Sequence, residues 1–377
     1  MNTRVTQTDI GRVAGVHNTT VSLALRNSPA IPEPTRARIH AIAKQLGYHP
    51  DPALQALVAY RSGRTPSRCQ ETIAYVTNWH SRWGWQELPA HAKYYAGARR
   101  KAAQSGFQLD HFWLGEPGLT QRRLSSMLFH RGITGVILAS HLADSDTGDE
   151  MDWARLTAIK IGCFPHAPAL HRVTDDQFAV MRLAMERTRA AGCDRIGLVL
   201  PYWWDNFADQ AWSAGFLAGQ VRWPAESRIP ILWYGSPDPR SSPTGRPVDL
   251  ATFANWFERF QPDAIVSCAP FVRGQIDQLG LSIPRDVAYV DLFLGNAGHG
   301  VAGVRENCER VGEIATELLI GQMRQNSRGL PDVATATLVE GSWVDGETLP
   351  ALWSRSRFPD EQPAPDGCHE PALVLVP

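Results

Sequence analysis

Paired cysteines are missing from this chain. Cys69, Cys163, Cys193, Cys268, Cys308 and Cys368 are scattered singly. No Cys-x-x-Cys spacing offers a zinc or thiol-exchange motif, and a reduced protein is the simplest expectation. Long apolar runs are missing too. No stretch approaches the roughly 20 residues that span a bilayer, and the polar start lacks a signal-peptide core. A cytoplasmic location with no membrane partner is therefore expected. The common catalytic signatures are also absent: there is no Gly-x-x-x-x-Gly-Lys loop, Gly-x-Ser-x-Gly elbow or His-Glu-x-x-His pair. His80, His91, His141, His166 and His299 sit in separate segments without ligand spacing. Gly295-x-x-Gly298-x-Gly300 lacks the strand–turn–helix setting of a dinucleotide site. No enzyme activity, catalytic residue, cofactor or metal is expected.

Net charge is small as well, at −1 over 377 residues, but it is not evenly spread. Before Cys69 stand Arg4, Arg12, Arg26, Arg36, Arg38, Lys44, Arg61, Arg64 and Arg68 against Asp9, Glu33 and Asp51. Positive charge gathered at one end suits phosphate binding. The alternative is a small helical bundle with a solvated basic face.

That end reads as three helices. Thr6 can cap the first, with Asp9 three residues on as capping-box partner. Ile10, Val13 and Ala14 give it an apolar face, and Gly15 supplies a residue able to take positive φ in a sharp turn. Val16 falls in the angle. Thr20, Val21, Ala24 and Leu25 follow as the second helix. Val21, Ala24 and Leu25 face inward, while Asn18, Thr19, Ser22 and Leu23 face outward. The third helix runs over 33–46 with Pro34 in its first turn, an Ile39, Ile42, Ala43 and Leu46 stripe, and Gly47 as its stop.

From Glu71 the pattern changes to alternating strands and helices. Strands are read at 72–76, 108–113, 135–139, 157–161, 195–200, 229–234 and 263–267. Helices are read at 90–105, 119–131, 178–191, 209–220 and 250–260. Such alternation belongs to the α/β class, with parallel sheets covered by helices on both faces.

Several spaced motifs carry a resemblance. Thr6-x-x-Asp-Ile-Gly-x-x-Ala-Gly-Val-x-x-x-Thr-Val-Ser22, Thr35-Arg36 and Leu46-Gly-Tyr-x-Pro50 resemble the lactose/galactose repressor (LacI/GalR) family. Asp176, Gly215-Phe216, Pro262-Asp-Ala-Ile265, Gly280-Leu-x-Ile-Pro284 and Val311-Gly312 match later landmarks, so the resemblance reaches about Leu349. It implies an all-α helix-turn-helix domain over 1–50, a hinge helix over 51–61 and a linker over 62–70. A two-lobed domain like a periplasmic binding protein would occupy 71–349, and a tail without regular structure 350–377. The helix near 311–323 should return to the first lobe and 335–344 to the second. The implied function is a repressor that binds a palindromic double-stranded operator as a homodimer. A small-molecule effector, carbohydrate-related in the family, would sit between the lobes.

The resemblance also assigns residues. Asn18, Thr19 and Leu23 fall at base-reading positions. His17, Ser22, Arg26 and Thr35 fall at phosphate-contact positions, and Thr6, Thr8 and Tyr48 join the DNA-facing set. Leu23 stands where the family usually has Arg; it can touch a thymine methyl but cannot read guanine. His17 replaces the usual capping Ser. Leu57 matches the leucine that wedges into the minor groove, unless residues 51–60 are an apolar linker packed on the main body.

In the cleft, Trp212, Ala269 and Phe293 replace an Arg and two Asp residues that fix sugars in the family. Trp79, Trp83, Trp85 and Trp203 fall at cleft positions and offer ring faces for stacking. Either they line a ligand pocket or they fill the cleft. Asp176 either faces the cleft or caps a helix.

Overall fold

The computed structural model describes residues 5–25, 31–46, 48, 71–142, 150–164, 167–235, 248–269, 271–295 and 300–351. Arg26, Gly47, the hinge and linker segments with Leu57, and the tail from 352 onward lie outside these residues. The chain divides into two units, Met1–Glu71 and Thr72–Pro377.

The first unit contains α1 (Gln7–Ala14), α2 (Asn18–Leu25) and α3 (Glu33–Gln45). Thr6 and Asp9 form a complete capping box on α1, and Gly15 ends that helix in the left-handed conformation. Ile10, Ala14, Val21, Ala24, Ile39 and Ala43 make the core, with Val16 and Tyr48 packed against it. Val13 is not part of this core; it is 60% exposed. Gly11 takes the inward place instead, because a Cβ there would press on the Val16 carbonyl.

The second unit has two lobes. Its elements in chain order are β1 (Glu71–Asn78), α4 (Pro89–Gln104), β2 (Phe107–Trp113), α5 (Gln121–His130), β3 (Gly135–His141), β4 (Thr157–Ile161) and β5 (Arg172–Asp175). Then come α6 (Gln177–Ala190), β6 (Ile196–Pro201), α7 (Tyr202–Phe207), α8 (Ala211–Gln220), β7 (Leu232–Tyr234), α9 (Leu250–Phe260) and β8 (Ala264–Ser267). The last are α10 (Phe271–Gln278), β9 (Ala288–Asp291), β10 (Gly303–Arg305), α11 (Cys308–Arg324), β11 (Ala336–Val339) and β12 (Ser342–Val344).

Strand order is β11-β5-β4-β3-β1-β2 in one sheet and β12-β10-β9-β8-β6-β7 in the other. The central pairings are parallel, whereas β12 runs antiparallel to β10. Side-chain alternation explains how both faces are covered. In β1, Ile73 and Tyr75 join a cluster with α4 and α11, while Ala74 and Val76 join one with Leu124 and Leu128 of α5. In β6, Leu198 packs toward α6 and α8, and Val199 toward Phe253 and Val272.

The chain crosses between lobes at 175–177, 305–308 and 339–342. Residues 335–344 therefore do not all return to the second lobe, because β11 pairs with β5 and β12 with β10. As expected, α11 returns to the first lobe and packs on its core. It crosses α4 at two glycines. A Cβ on Gly97 would collide with the Glu309 carbonyl, and one on Gly312 with the Tyr94 carbonyl. Arg100 pairs with Glu309 and Glu313 beside this crossing, and Lys101 with Glu317.

Candidate nucleic-acid interface and ligand cavity

In the first unit, α2 presents Asn18, Thr19 and Leu23 outward, with Leu23 40% exposed and Ser22 half-buried beside them. The His17 carbonyl accepts the first bonds of α2, from Thr20 and Val21 N–H. Its Nδ1 lies 3.4 Å from the Thr19 N–H, which can only donate, and 2.9 Å from the Thr19 hydroxyl. His17 thus takes over the capping task of the missing serine. Thr6 is engaged with Asp9 through its hydroxyl at 2.7 Å, and Thr8 is exposed. Tyr48 is half-buried and its hydroxyl accepts from Gln7 Nε2 at 3.0 Å, which anchors α1. Thr35 is half-buried on α3. Arg38 donates to the Ala14 carbonyl at 3.1 Å and so supports the turn after α1.

In the second unit, a cavity of about 130 Å³ opens between the two lobes. That is room for about ten waters, the scale of a small organic molecule. It lies at the carboxyl ends of strands, where crevices of open α/β sheets form. Ser140 and His141 end β3, Cys163 and Phe164 follow β4, Thr174 is in β5, and Phe293 follows β9. The second lobe adds Gln177, Trp203, Trp204, Phe207, Trp212 and Glu306.

Of the residues expected in the cleft, Trp203, Trp212 and Phe293 line this cavity. Trp79 stands one layer behind, with its ring centroid 6.3 Å from Trp203 and 6.0 Å from Phe207. Trp85 is buried in the first lobe against Tyr95, at 5.3 Å. Trp83 is 47% exposed beside His111. Trp83 and Trp85 do not reach the cavity because the tight turn Gly84–Glu87 directs their rings toward Tyr75 of β1 and His111 of β2. Asp176 caps α6 by accepting from Ala179 N–H at 2.9 Å, and Ala269 is buried in the second-lobe core. His91, Tyr94, His141, Phe207, Gln177 and Glu306 were not singled out in the sequence as cleft residues. The position of His141 just after a buried strand was an available signal for it; Gln177 and Glu306 had none.

The polar lining is unusual. Gln177 Nε2 donates to Glu306 Oε1 at 2.8 Å. Tyr94 O–H donates to Asp175 Oδ2 at 2.5 Å, and the Cys308 thiol donates to Glu306 Oε2 at 3.5 Å. Burial pushes the carboxyls of Asp175 and Glu306 up, Glu306 well above the ordinary range, with the charge of Asp175 adding to it. Ligand atoms of Asp175, Glu306 and Cys308 lie within 4.8 Å of one another, a spacing a metal ion could bridge. Tyr94, Gln177 and Cys308 donate to three of the four carboxylate oxygens, and Asp175 Oδ1 is left without a partner among the described residues. A metal ion would have to displace these donors.

Burial alone pulls His91 down to about 4, and burial pulls His141 down to about 3. Both are neutral near pH 7. His141 Nδ1 lies 3.0 Å from the Ala139 carbonyl, so it carries the proton and leaves Nε2 as a bare acceptor. An unfolded histidine takes up its proton near pH 6.5. The stability held by these two is present above about pH 6.5 and is lost as pH falls toward the folded values. Asp291, pushed up to about 6 by burial, acts oppositely: its contribution is present below about pH 4 and lost as pH rises through 6. His141→Asn is therefore expected to reduce the loss of stability between about pH 6.5 and pH 4 by on the order of 3 kcal/mol. Urea unfolding at several pH values measures this, and equal pH slopes for parent and variant would refute it.

Comparison with known proteins agrees with this architecture. Residues 6–51 match the family of bacterial regulatory proteins, lacI family. The chain is 28% identical over 210 residues to the HTH-type transcriptional regulator MalR of Streptomyces coelicolor, covering 53% of this chain and 54% of that protein. It thus spans about half the length of the curated relatives it matches over this distance. Among solved structures, a complex of the transcriptional regulator CelR with cellobiose matches with a TM-score of 0.53 at 19% identity, covering 92% of this chain and 100% of that one. The lac repressor dimer bound to operator and the anti-inducer ONPF matches with a TM-score of 0.52 at 17% identity, covering 93% and 100%. At such identities the structural matches establish the fold alone. No described helix is long and apolar enough to cross a membrane. Residues 6–51 thus form a helix-turn-helix unit that matches the lacI family of bacterial regulatory proteins, and the two-lobed α/β unit that follows has the fold of these solved regulators.

Proposed function

We propose that this chain is a sequence-specific repressor that binds a palindromic operator as a homodimer and responds to a small molecule held in the interlobe cavity. The observation that carries the DNA reading is the capped helix α2, which turns Asn18, Thr19 and Leu23 outward while Val21 and Ala24 anchor it from behind. Side chains at these positions share one helical face, as insertion into a major groove requires. Thr8, His17, Ser22, Arg26 and Thr35 would position the helix on phosphates, and Leu57 would wedge the minor groove. Thr6 and Tyr48 hold α1 behind that surface.

An open cavity with unpartnered polar atoms on its wall supports effector binding over a cleft filled by its own tryptophans. The solved relative in complex with cellobiose suggests a carbohydrate-sized occupant. Trp203, Trp212 and Phe293 would recognise it by stacking and shape.

A gel-shift series with DNA from upstream of the protein's own gene tests this reading. Affinity is expected to fall at least tenfold between about 50 and 200 mM salt, because bound phosphates release counterions. Two inverted half-sites should bind more tightly than a single half-site, since each subunit presents one recognition helix. Salt-insensitive binding, or equal affinity for a single half-site, counts against it.

A further inference from the structure

Five buried polar atoms on the cavity wall have no partner among the described residues: His141 Nε2 and Gln177 Oε1 accept, the Trp212 indole N–H donates, and the Ser140 hydroxyl and His91 Nδ1 can do either. His141 is more than nine-tenths buried. Asp175, also nearly fully buried, stands behind this wall with Oδ1 unpartnered. Charge, by contrast, is one-sided. Asp175 ends β5 in the first lobe and Glu306 follows β10 in the second, so two carboxyls from opposite lobes meet at the crossing. No Lys or Arg lines the cavity. The nearby Lys93 donates to the Gly295 carbonyl at 3.1 Å and forms no ion pair with either carboxyl among the described residues. The remaining groups facing the pair are Tyr94, Gln177 and Cys308, all of them neutral donors. Around them stand the ring faces of Trp203, Phe207 and Trp212, whose quadrupoles attract cations.

We propose that the effector is a small organic ammonium ion, a protonated amine. Its N–H groups would be taken by Glu306 and the bare acceptors His141 Nε2 and Gln177 Oε1, with Asp175 adding its charge from behind and the ligand body among the aromatic rings. This rests on the reading of the cavity as the effector site. A neutral polyol could pair with the wall but would leave the two carboxyls without a counter-charge. An ammonium brings donors only, together with the positive charge that the two carboxyls lack. The exchange balances: the neutral carboxyl O–H dissociates to buffer, and the amine enters already protonated, so about one proton leaves for each ligand bound.

Titration calorimetry on the full-length protein tests this with matched probes. These are 2-phenylethylamine against 2-phenylethanol, and glucosamine against glucose, each in two buffers of different ionisation enthalpy. At least one amine is expected to bind ~10-fold or more tightly than its neutral counterpart, with proton release near neutral pH. Glu306→Gln, which keeps the acceptor for Gln177, should erase that preference while circular dichroism and melting show an intact fold. Equal or tighter binding of the neutral partners would overturn the ammonium proposal and leave the cavity as an effector site. Absence of amine binding up to about 10 mM, or a preference that survives Glu306→Gln, would also overturn it. Operator binding is measured separately by gel shift, so its loss speaks against the DNA reading alone.

Discussion

Gly312→Val is expected to unfold the first lobe or leave it severely destabilised, by at least ~3 kcal/mol. At this position the backbones of α4 and α11 meet, and a Cβ would strike the Tyr94 carbonyl oxygen and the Ala98 nitrogen. These are main-chain atoms, so no change of rotamer relieves the clash. The helices would have to separate and withdraw Val311, Ala315 and Leu319 from the core they share with Ile73 and Ile137. Overpacking of this kind usually costs about 1–3 kcal/mol and more when backbones collide. Gly321 in the same helix gives the opposite expectation. Nothing surrounds its missing Cβ, so Gly321→Ala should stabilise by roughly 0.5–1 kcal/mol. Scanning calorimetry of both variants decides. A Gly312→Val protein that melts with the parent would show that the two helices do not cross so closely.

Asp205→Ala should be the most damaging single change in the second lobe's wall of the cavity. Asp205 is almost fully buried. Its Oδ2 accepts from the Ser213 hydroxyl at 2.7 Å and its Oδ1 from the Ser213 N–H at 3.1 Å. This pair ties α7, which carries Trp203, Trp204 and Phe207, to α8, which carries Trp212. Truncation leaves the buried Ser213 N–H without a partner, at a cost of about 1–3 kcal/mol, while the Ser213 hydroxyl keeps the Gln210 carbonyl at 3.1 Å. Burial raises the Asp205 carboxyl above its ordinary value, so Asp205→Asn removes a poorly solvated charge and keeps an acceptor. It should cost much less, about 1 kcal/mol. Denaturant melts of the two variants test the difference, and equal losses would mean that shape, not hydrogen bonding, holds α7.

Much of this architecture could be read from periodicity. The strand at 157–161 and the helix at 250–260 were legible to the residue, because each is a regular apolar pattern bounded by polar or turn residues. The capping box at Thr6 and the turn at Gly15 were legible because their chemistry is local. The helix Tyr202–Phe207 was not, since a six-residue aromatic run has no helical stripe and its rings favour strands in isolation. Strands as short as β5 and β10 carry too few residues for a period. β11 and β12 were read as a single segment because Glu340-Gly341 is a weak break, and only pairing with different sheets separates them. In the cavity, the sequence found the replaced anchors at Trp212 and Phe293. It placed Trp79, Trp83 and Trp85 too far forward, because spacing along a loop does not say which way its rings turn. Gln177 and Glu306 meet only through the crossings between lobes, which no local pattern encodes.

The gathering of tryptophans around the cavity has an optical consequence. Every tryptophan of the chain falls at or beyond Trp79, so the helix-turn-helix unit is dark under excitation at the red edge of indole absorption. Trp79, Trp203, Trp204 and Trp212 crowd one site, near enough for their excited states to exchange energy. Emission from this protein therefore reports on the cavity and its lobes and is silent about the helix-turn-helix unit. A change in light on adding a small molecule comes from the two-lobed unit, while any event confined to the first fifty residues needs a label placed among them. The two halves of the molecule can thus be followed independently in one cuvette.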